Sequence, residues 1–164
     1  MIGVDTQTVR SKGRDLSPPF RLMLRTAAKG HALTCTAILR HLPGKRLVCR
    51  GIWRQDQPVV AKIFLDASGA HRHYQRELQG IQALQNAHIP TPDLLFKGVL
   101  ADGRAPVLLF REMEDYQNLT ERLASVVRHD HRLETMHLVI AAIARLHAAG
   151  LKQRDMHPGN FLLA

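Results

Sequence analysis

Several kinds of residue are scarce in this chain, and each scarcity argues against a class of protein. Aromatic residues make up only 5% of the 164 residues, which weakens any function that depends on stacking nucleic-acid bases. The two cysteines, Cys35 and Cys49, form no C-x-x-C pair, so we expect free, partly buried thiols in a reducing compartment. The longest apolar runs, such as 107–110 and 138–144, are far too short to span a bilayer. No signal-peptide pattern opens the chain. We therefore expect a cytoplasmic globular protein.

Acidic residues are also scarce relative to basic ones. The formal net charge is +9, which favours polyanionic partners such as nucleic acid, an anionic membrane surface or a phosphorylated substrate. The first 30 residues contain six basic residues against Asp5 and Asp15: Arg10, Lys12, Arg14, Arg21, Arg25 and Lys29. Two interpretations of residues 1–30 stay open: a solvated, flexible basic leader, or a surface element that contacts anionic lipid headgroups.

The next part of the chain predicts a small antiparallel sheet with one helix. Apolar, β-branched segments bounded by turn residues indicate strands over 33–39, 47–53, 59–65, 93–100 and 106–110, and helical periodicity indicates a helix over 70–87. The turn between the first two strands contains a single glycine, Gly44, and not the G-x-G-x-x-G of a phosphate-binding loop. Lys45 and Arg46 beside it either offer charge to phosphates or are simply solvated.

A lysine and a glutamate stand out in this region. Lys62 lies in the middle of the apolar strand 59–65, where an unpaired ammonium would be costly to bury. Glu77 lies three residues after Tyr74 and four before Ile81, which places it on the inward stripe of the predicted helix. Each anomaly explains the other, so we predict an ion pair between Lys62 and Glu77, the arrangement that kinases use beside nucleotide phosphates.

Two further helices are predicted in the last third of the chain. Asn118 and Glu121 have the spacing of a capping box for a helix over 119–127. A longer helix over 133–149 ends at Gly150. Its predicted buried stripe consists of Met136, Val139, Ile140, Ile143 and Leu146.

The segment after Gly150 carries the spacing of a catalytic loop. Asp155 and Asn160 fit the pattern H-R-D-x-x-x-x-N, with Gln153 in the place of the histidine. In that pattern the aspartate receives the proton of the attacking hydroxyl, and the asparagine amide oxygen holds a metal ion on the nucleotide phosphates.

Three stretches together resemble the bacterial lipopolysaccharide kinase (Kdo/WaaP) family, whose members phosphorylate heptose or Kdo sugars of the lipopolysaccharide inner core: VVAKIF, RELQGIQALQNAHIPTPDLL and ARLHAAGLKQRDMHPGNFLL. The resemblance implies an α+β, protein-kinase-like fold. Residues 1–30 would be the basic leader, 31–112 an antiparallel nucleotide-binding lobe with one helix, and 113–164 a partial, mainly helical lobe that ends just after the catalytic loop.

The resemblance also implies an ATP-dependent phosphotransferase that uses Mg²⁺ and acts on an anionic glycolipid or sugar. Asp155 would be the catalytic base, Lys62 would bind phosphates with Glu77 as its anchor, and Asn160 would be the Mg²⁺ ligand. Gly44 and Lys45 would lie at the phosphates. The backbone of Glu112, Met113 and Glu114 would bind adenine. Contact with the inner-membrane surface is expected, and nucleic acid is not.

Three departures keep alternatives open. Gln153 replaces the loop histidine, and the segment from Met156 to Asn160 is similar to small-molecule kinases as well. No D-F-G-type aspartate follows the loop before Ala164, so we expect a truncated kinase with impaired activity. The alternatives are a kinase for another small hydroxyl substrate and a nucleotide-binding pseudokinase.

Overall fold

The structure is a computed structural model that describes residues 2–12, 15–26, 31–125, 128–152 and 157–163. It is an α+β structure, with one large, mostly antiparallel sheet and four helices in the described part of the chain. The chain divides into two compact units. The first comprises Met1–Gln79 and Pro92–Glu112, and the second comprises Gly80–Thr91 and Met113–Ala164.

The first unit is built on a seven-stranded sheet with the order β1-β2-β3-β4-β5-β7-β6. Its strands are β1 (Ile2–Val4), β2 (Phe20–Met23), β3 (Ala32–Leu42), β4 (Arg46–Trp53), β5 (Gln57–Phe64), β6 (Leu94–Val99) and β7 (Pro106–Arg111). β1 and β2 are parallel, and every other neighbouring pair is antiparallel. A bridge between Leu24 and Leu100 joins the end of β2 to the end of β6, so the sheet curls on itself.

The curled sheet encloses the main hydrophobic core. On β5 the alternation of the strand directs Val59, Ala61 and Ile63 into this core, where they are fully buried. Lys62 belongs to the opposite, half-buried face. The sequence predicted a strand buried on both sides, and the structure corrects this for the face that carries the lysine.

The amino-terminal segment differs from the solvated leader considered for residues 1–30. Its described residues form β1, the helix α1 (Thr6–Lys12) and β2. The reason is its apolar side chains: Val9, Leu16, Phe20 and Leu22 are buried in the core of the curled sheet. The basic residues that dominate the composition of this segment mask this apolar pattern in the sequence.

Close contact between β3 and β4 depends on small side chains. β3 carries two irregularities in register, between Cys35 and Ala37 and between Ile38 and Arg40. A Cβ atom added to Gly51 would lie 2.5 Å from the backbone oxygen of Thr34, so only glycine fits there. Cys35 and Cys49 are buried free cysteines whose sulfur atoms are 2.8 Å apart. The hydrogen bond between these thiols and their burial raise the pKa of Cys35.

The remaining helices follow the predicted order. The helix α2 spans Ala70–Asn86, α3 spans Leu119–Ser125 and α4 spans His129–Ala148, while β8 (Gln117–Asn118) pairs with β9 (Leu162–Leu163). The capping box of α3 is confirmed. Asn118 N–H donates to a Glu121 carboxylate oxygen (3.1 Å), and Glu121 N–H donates to the Asn118 side-chain oxygen (3.0 Å). No described helix combines the length and the apolar character needed to cross a bilayer.

The predicted buried stripe of α4 is partly wrong. Val139 is buried, and Ile143 and Leu146 are half-buried, but Met136 and Ile140 are 40% and 57% exposed. The helix has apolar residues on more than one side, so periodicity alone could not identify the side that packs. Thr135 is buried on the packed side, where its hydroxyl donates to the His131 carbonyl and is satisfied within the helix.

A single carboxylate holds the start of the chain to the β6–β7 turn. Asp102 accepts hydrogen bonds from the N–H of Thr6 (3.0 Å) and from its hydroxyl (2.9 Å), and from the N–H of Arg104 (3.0 Å). Burial raises the pKa of Asp102, but these hydrogen bonds outweigh it and the pKa is lowered overall. Thr6 is fully buried, so it depends on this acceptor.

We expect Asp102→Asn to lower the free energy of unfolding by about 1–2 kcal/mol at pH 7, since it leaves a buried Thr6 donor unpaired. Because the folded-state pKa is lowered, the ionised carboxylate stabilises the fold above its unfolded pKa of about 3.9, and this contribution is lost as the pH falls through the folded value. Urea unfolding of both proteins from pH 3 to pH 7 measures the difference. Asp56→Asn, which removes the same charge from an exposed turn, is the control. Equal free energies of unfolding for Asp102→Asn and Asp56→Asn at pH 7 would contradict the role of Asp102 in holding Thr6.

Candidate functional site

Two contacts fix α2 against β5. The rings of Phe64 and Tyr74 meet edge to face with their centroids 5.9 Å apart. The Lys62 ammonium forms an ion pair with the Glu77 carboxylate. Lys62 and Phe64 are two residues apart on β5, and their partners Glu77 and Tyr74 are three residues apart on α2. Each contact therefore helps to position the other. The ion pair predicted from the sequence is therefore present.

The surroundings of Lys62 compensate its charge but leave it accessible. The side chains of Lys62 and Glu77 are each 29% exposed. The Lys62 ammonium also lies over the ring of Phe110, 5.2 Å from its centroid, where the negative face of the ring attracts a cation. A half-buried, paired ammonium of this kind can contact a phosphate oxygen while its carboxylate partner holds its position.

Two arginines lie on the same face of the sheet: Arg46, which the sequence suggested as a source of charge for phosphates, and Arg50, which sequence reasoning missed. In the β4–β5 register Val48 is opposite Lys62, and alternation places Arg46 and Arg50 of β4 on the same side as Val48. Arg50 Nε is 2.6 Å from a carboxylate oxygen of Glu112. The available signal was the charge pattern, since residues 31–55 contain five basic residues and no acid.

The turn between β3 and β4 holds Gly44 and Lys45. Gly44 has a φ of +66°, the left-handed conformation that favours glycine in a tight turn. Lys45 has an exposed side chain, and its carbonyl accepts hydrogen bonds from the N–H groups of Leu65 (2.8 Å) and Asp66 (3.3 Å). The turn is thus tied to the end of β5 through the backbone, which leaves the Lys45 ammonium available to a ligand.

The segment proposed to bind adenine is partly engaged by the protein itself. The N–H of Glu112 donates to the carbonyl of Pro58 (3.3 Å), and its side chain pairs with Arg50. The carbonyl of Met113 accepts from the N–H of Tyr116 (3.2 Å), and Glu114 is exposed in the turn that follows. Adenine recognition by this segment would therefore use the Glu112 carbonyl and the remaining backbone groups.

Asn160 belongs to the second unit and lies in a 3-10 turn, Pro158–Asn160. Its N–H donates to the His157 carbonyl (2.9 Å), and His157 Nδ1 accepts from the N–H of Gly159 (3.0 Å). The turn is followed by β9, and the Phe161 carbonyl accepts from the N–H of Leu119 (3.0 Å). Asp155 falls within residues 153–156, which lie outside the described residues.

Asn160 has the chemistry of a magnesium ligand. Its side chain ends in an amide oxygen, and Mg²⁺ prefers oxygen ligands, with few from the protein and the rest from phosphates and water. In the part of the chain that the structure describes, no three histidine, cysteine or acidic side chains cluster as a self-sufficient metal site.

Comparison with known proteins assigns the chain to a protein family. A comparison with individually curated proteins gives no significant match. The family model described as "Lipopolysaccharide kinase (Kdo/WaaP) family" matches residues 48–164, a span that begins in β4 and includes Lys62, Glu77 and Asn160. That span is well over half of the chain, so this protein is a member of the lipopolysaccharide kinase (Kdo/WaaP) family.

Proposed function

We propose that this protein transfers the γ-phosphoryl group of ATP to a hydroxyl of a lipopolysaccharide inner-core sugar, heptose or Kdo. The observation that carries the proposal is the Lys62–Glu77 ion pair. An ammonium held by a helix carboxylate, half-exposed on a sheet face, is suited to orient nucleotide phosphates. Membership of the family supports the reaction class.

In the proposed mechanism the residues have separate tasks. Lys62 binds phosphate oxygens of ATP, and Glu77 keeps the ammonium in place. Asp155 accepts the proton of the sugar hydroxyl as that oxygen attacks phosphorus. Asn160 would hold Mg²⁺, which when bound supplies positive charge to the phosphates. Backbone groups from Glu112 to Glu114 would orient the adenine.

The charge of the protein supports an anionic acceptor. A net charge of +9 favours a phosphorylated or carboxylated sugar over a neutral one, and favours working at an anionic membrane surface. A kinase for another small hydroxyl substrate would use the same side chains. A panel of acceptors therefore tests the proposal: ADP release is expected with deacylated inner-core oligosaccharide and not with neutral monosaccharides or aminoglycosides.

Lys62→Met should lower kcat/KM for ATP by about 100- to 1000-fold, because it removes a charge directed at the phosphates. Glu77→Gln should cause a smaller loss. The double variant should be no worse than Lys62→Met alone, since the two residues act as a unit. Steady-state ADP release with the sugar acceptor measures all three.

Asp93→Asn is the matched control for this series, since it breaks a solvent-exposed ion pair with Arg111 (3.1 Å) in the same unit. It should leave kcat/KM unchanged. If the losses of kcat/KM from the two single variants added up in the double variant, Lys62 and Glu77 would not act together as proposed.

Asp155→Asn should reduce phosphoryl transfer by about 100- to 10,000-fold while leaving the Kd for ATP within a few fold, since a base acts on the acceptor and not on nucleotide binding. Single-turnover transfer and calorimetric titration with ATP separate the two quantities. Asp130→Asn, which alters an exposed acid that pairs with Arg128, serves as the control. ATP binding by the wild type with no transfer, unaffected by Asp155→Asn, would instead identify a pseudokinase.

A further inference from the structure

The face of the sheet that carries Lys62 has more cations than carboxylates to pair with them, since the register also places Arg40 of β3 and Lys97 of β6 on this face. Lys62 pairs with Glu77, and Arg50 pairs with Glu112. Arg46 lies on this face as well, opposite Phe64 of β5, yet it takes part in none of the ion pairs formed by the described residues. Its charge is uncompensated within that part of the chain.

Arg46 is also partly withdrawn from water. Its side chain is half-buried, and its Nε–H is shielded from solvent with no hydrogen-bond partner among the described residues. A shielded donor without an acceptor costs free energy, and native structures seldom leave one unmatched. An anionic ligand on this face that bound the accessible part of the guanidinium would neutralise this uncompensated charge.

The position of Arg46 beside Lys62 indicates which kind of anion it would bind. Phe64 is two residues after Lys62, so Arg46 is the diagonal neighbour of Lys62 across β4 and β5, with Cα atoms about 7–8 Å apart. Arg46 also directly follows the Gly44–Lys45 turn. A chain of phosphates that reached the Lys62 ammonium would therefore lie within reach of the Arg46 guanidinium, whose planar array of donors suits phosphate oxygens.

We infer that Arg46 is a nucleotide-binding residue, whose guanidinium binds a phosphate of ATP beside Lys62. The inference rests on the proposed function, because it assigns a further contact to the same nucleotide. It gives this turn, which has a single glycine and lacks G-x-G-x-x-G, a different way to hold phosphate: a side-chain guanidinium takes the place of a cradle of backbone N–H groups.

The test compares adenosine, AMP, ADP and Mg-ATP binding to the full chain by calorimetry, for the wild type, Arg46→Gln, Arg46→Lys and Arg54→Gln. Arg46→Gln is expected to weaken ADP and ATP by about 10- to 100-fold, as for loss of a charged hydrogen bond, with adenosine unchanged. Arg46→Lys should restore part of the affinity. Arg54→Gln removes the same charge from the other end of β4, where Arg54 lies over the ring of Trp53, and should bind all four ligands normally.

The outcomes separate this inference from the proposed function. If the wild type binds ATP, and Lys62→Met loses affinity for ATP while Arg46→Gln keeps it, then the inference about Arg46 is wrong and the kinase proposal stands. If no adenine nucleotide binds the wild type, the proposed function fails. If Arg46→Gln lowered the affinity for adenosine as much as the affinity for ATP, Arg46 would have a structural role, and that result would overturn the inference. So would an effect confined to KM for the sugar acceptor, which would assign Arg46 to an anionic group of the acceptor.

Discussion

The constraint on which the site depends is the cost of placing an ammonium in a sheet. Lys62 lies on β5, a strand whose other face is fully buried, so its charge requires a nearby carboxylate. Glu77 meets this requirement, and it is held by α2 one helical turn beyond Tyr74, which packs on Phe64. The ion pair therefore fixes the orientation of a helix as well as the direction of a side chain. Because each of the two side chains is 29% exposed, the pair keeps its geometry and remains accessible to a ligand.

Sequence patterns predicted most of the strands and helices and the central pair, and the physical reasons are local. Apolar, β-branched segments bounded by turn residues identified β4 and β5, a capping box identified the start of α3, and the conflict between charge and burial paired Lys62 with Glu77. The failures have a different origin. The packed side of α4 could not be predicted because Met136 and Ile140 give the helix a second apolar side, and only tertiary contacts select one.

Other features of the first unit depend on register and on distant partners. The register of β4 against β5 places Arg46 and Arg50 beside Lys62, and no spacing within β4 alone reveals that neighbour. Glu112 was singled out for its backbone, yet its side chain pairs with Arg50 and its N–H bonds to Pro58. In the amino-terminal segment the basic residues dominated the composition, while the few apolar ones, such as Val9 and Phe20, decided where it packs.

The closure of the curled sheet also determines when the first unit can be completed during synthesis. Thr6 and Asp102 are separated by 96 residues, and the shorter Leu24–Leu100 bridge closes over 76. At about 5–20 residues per second, a ribosome needs roughly 5–20 s to make that intervening length. During this interval the apolar side chains of α1 and β2 have no β6 or β7 to pack against. A nascent chain in that state exposes the apolar side chains that the finished sheet buries, which favours aggregation until β6 and β7 are made.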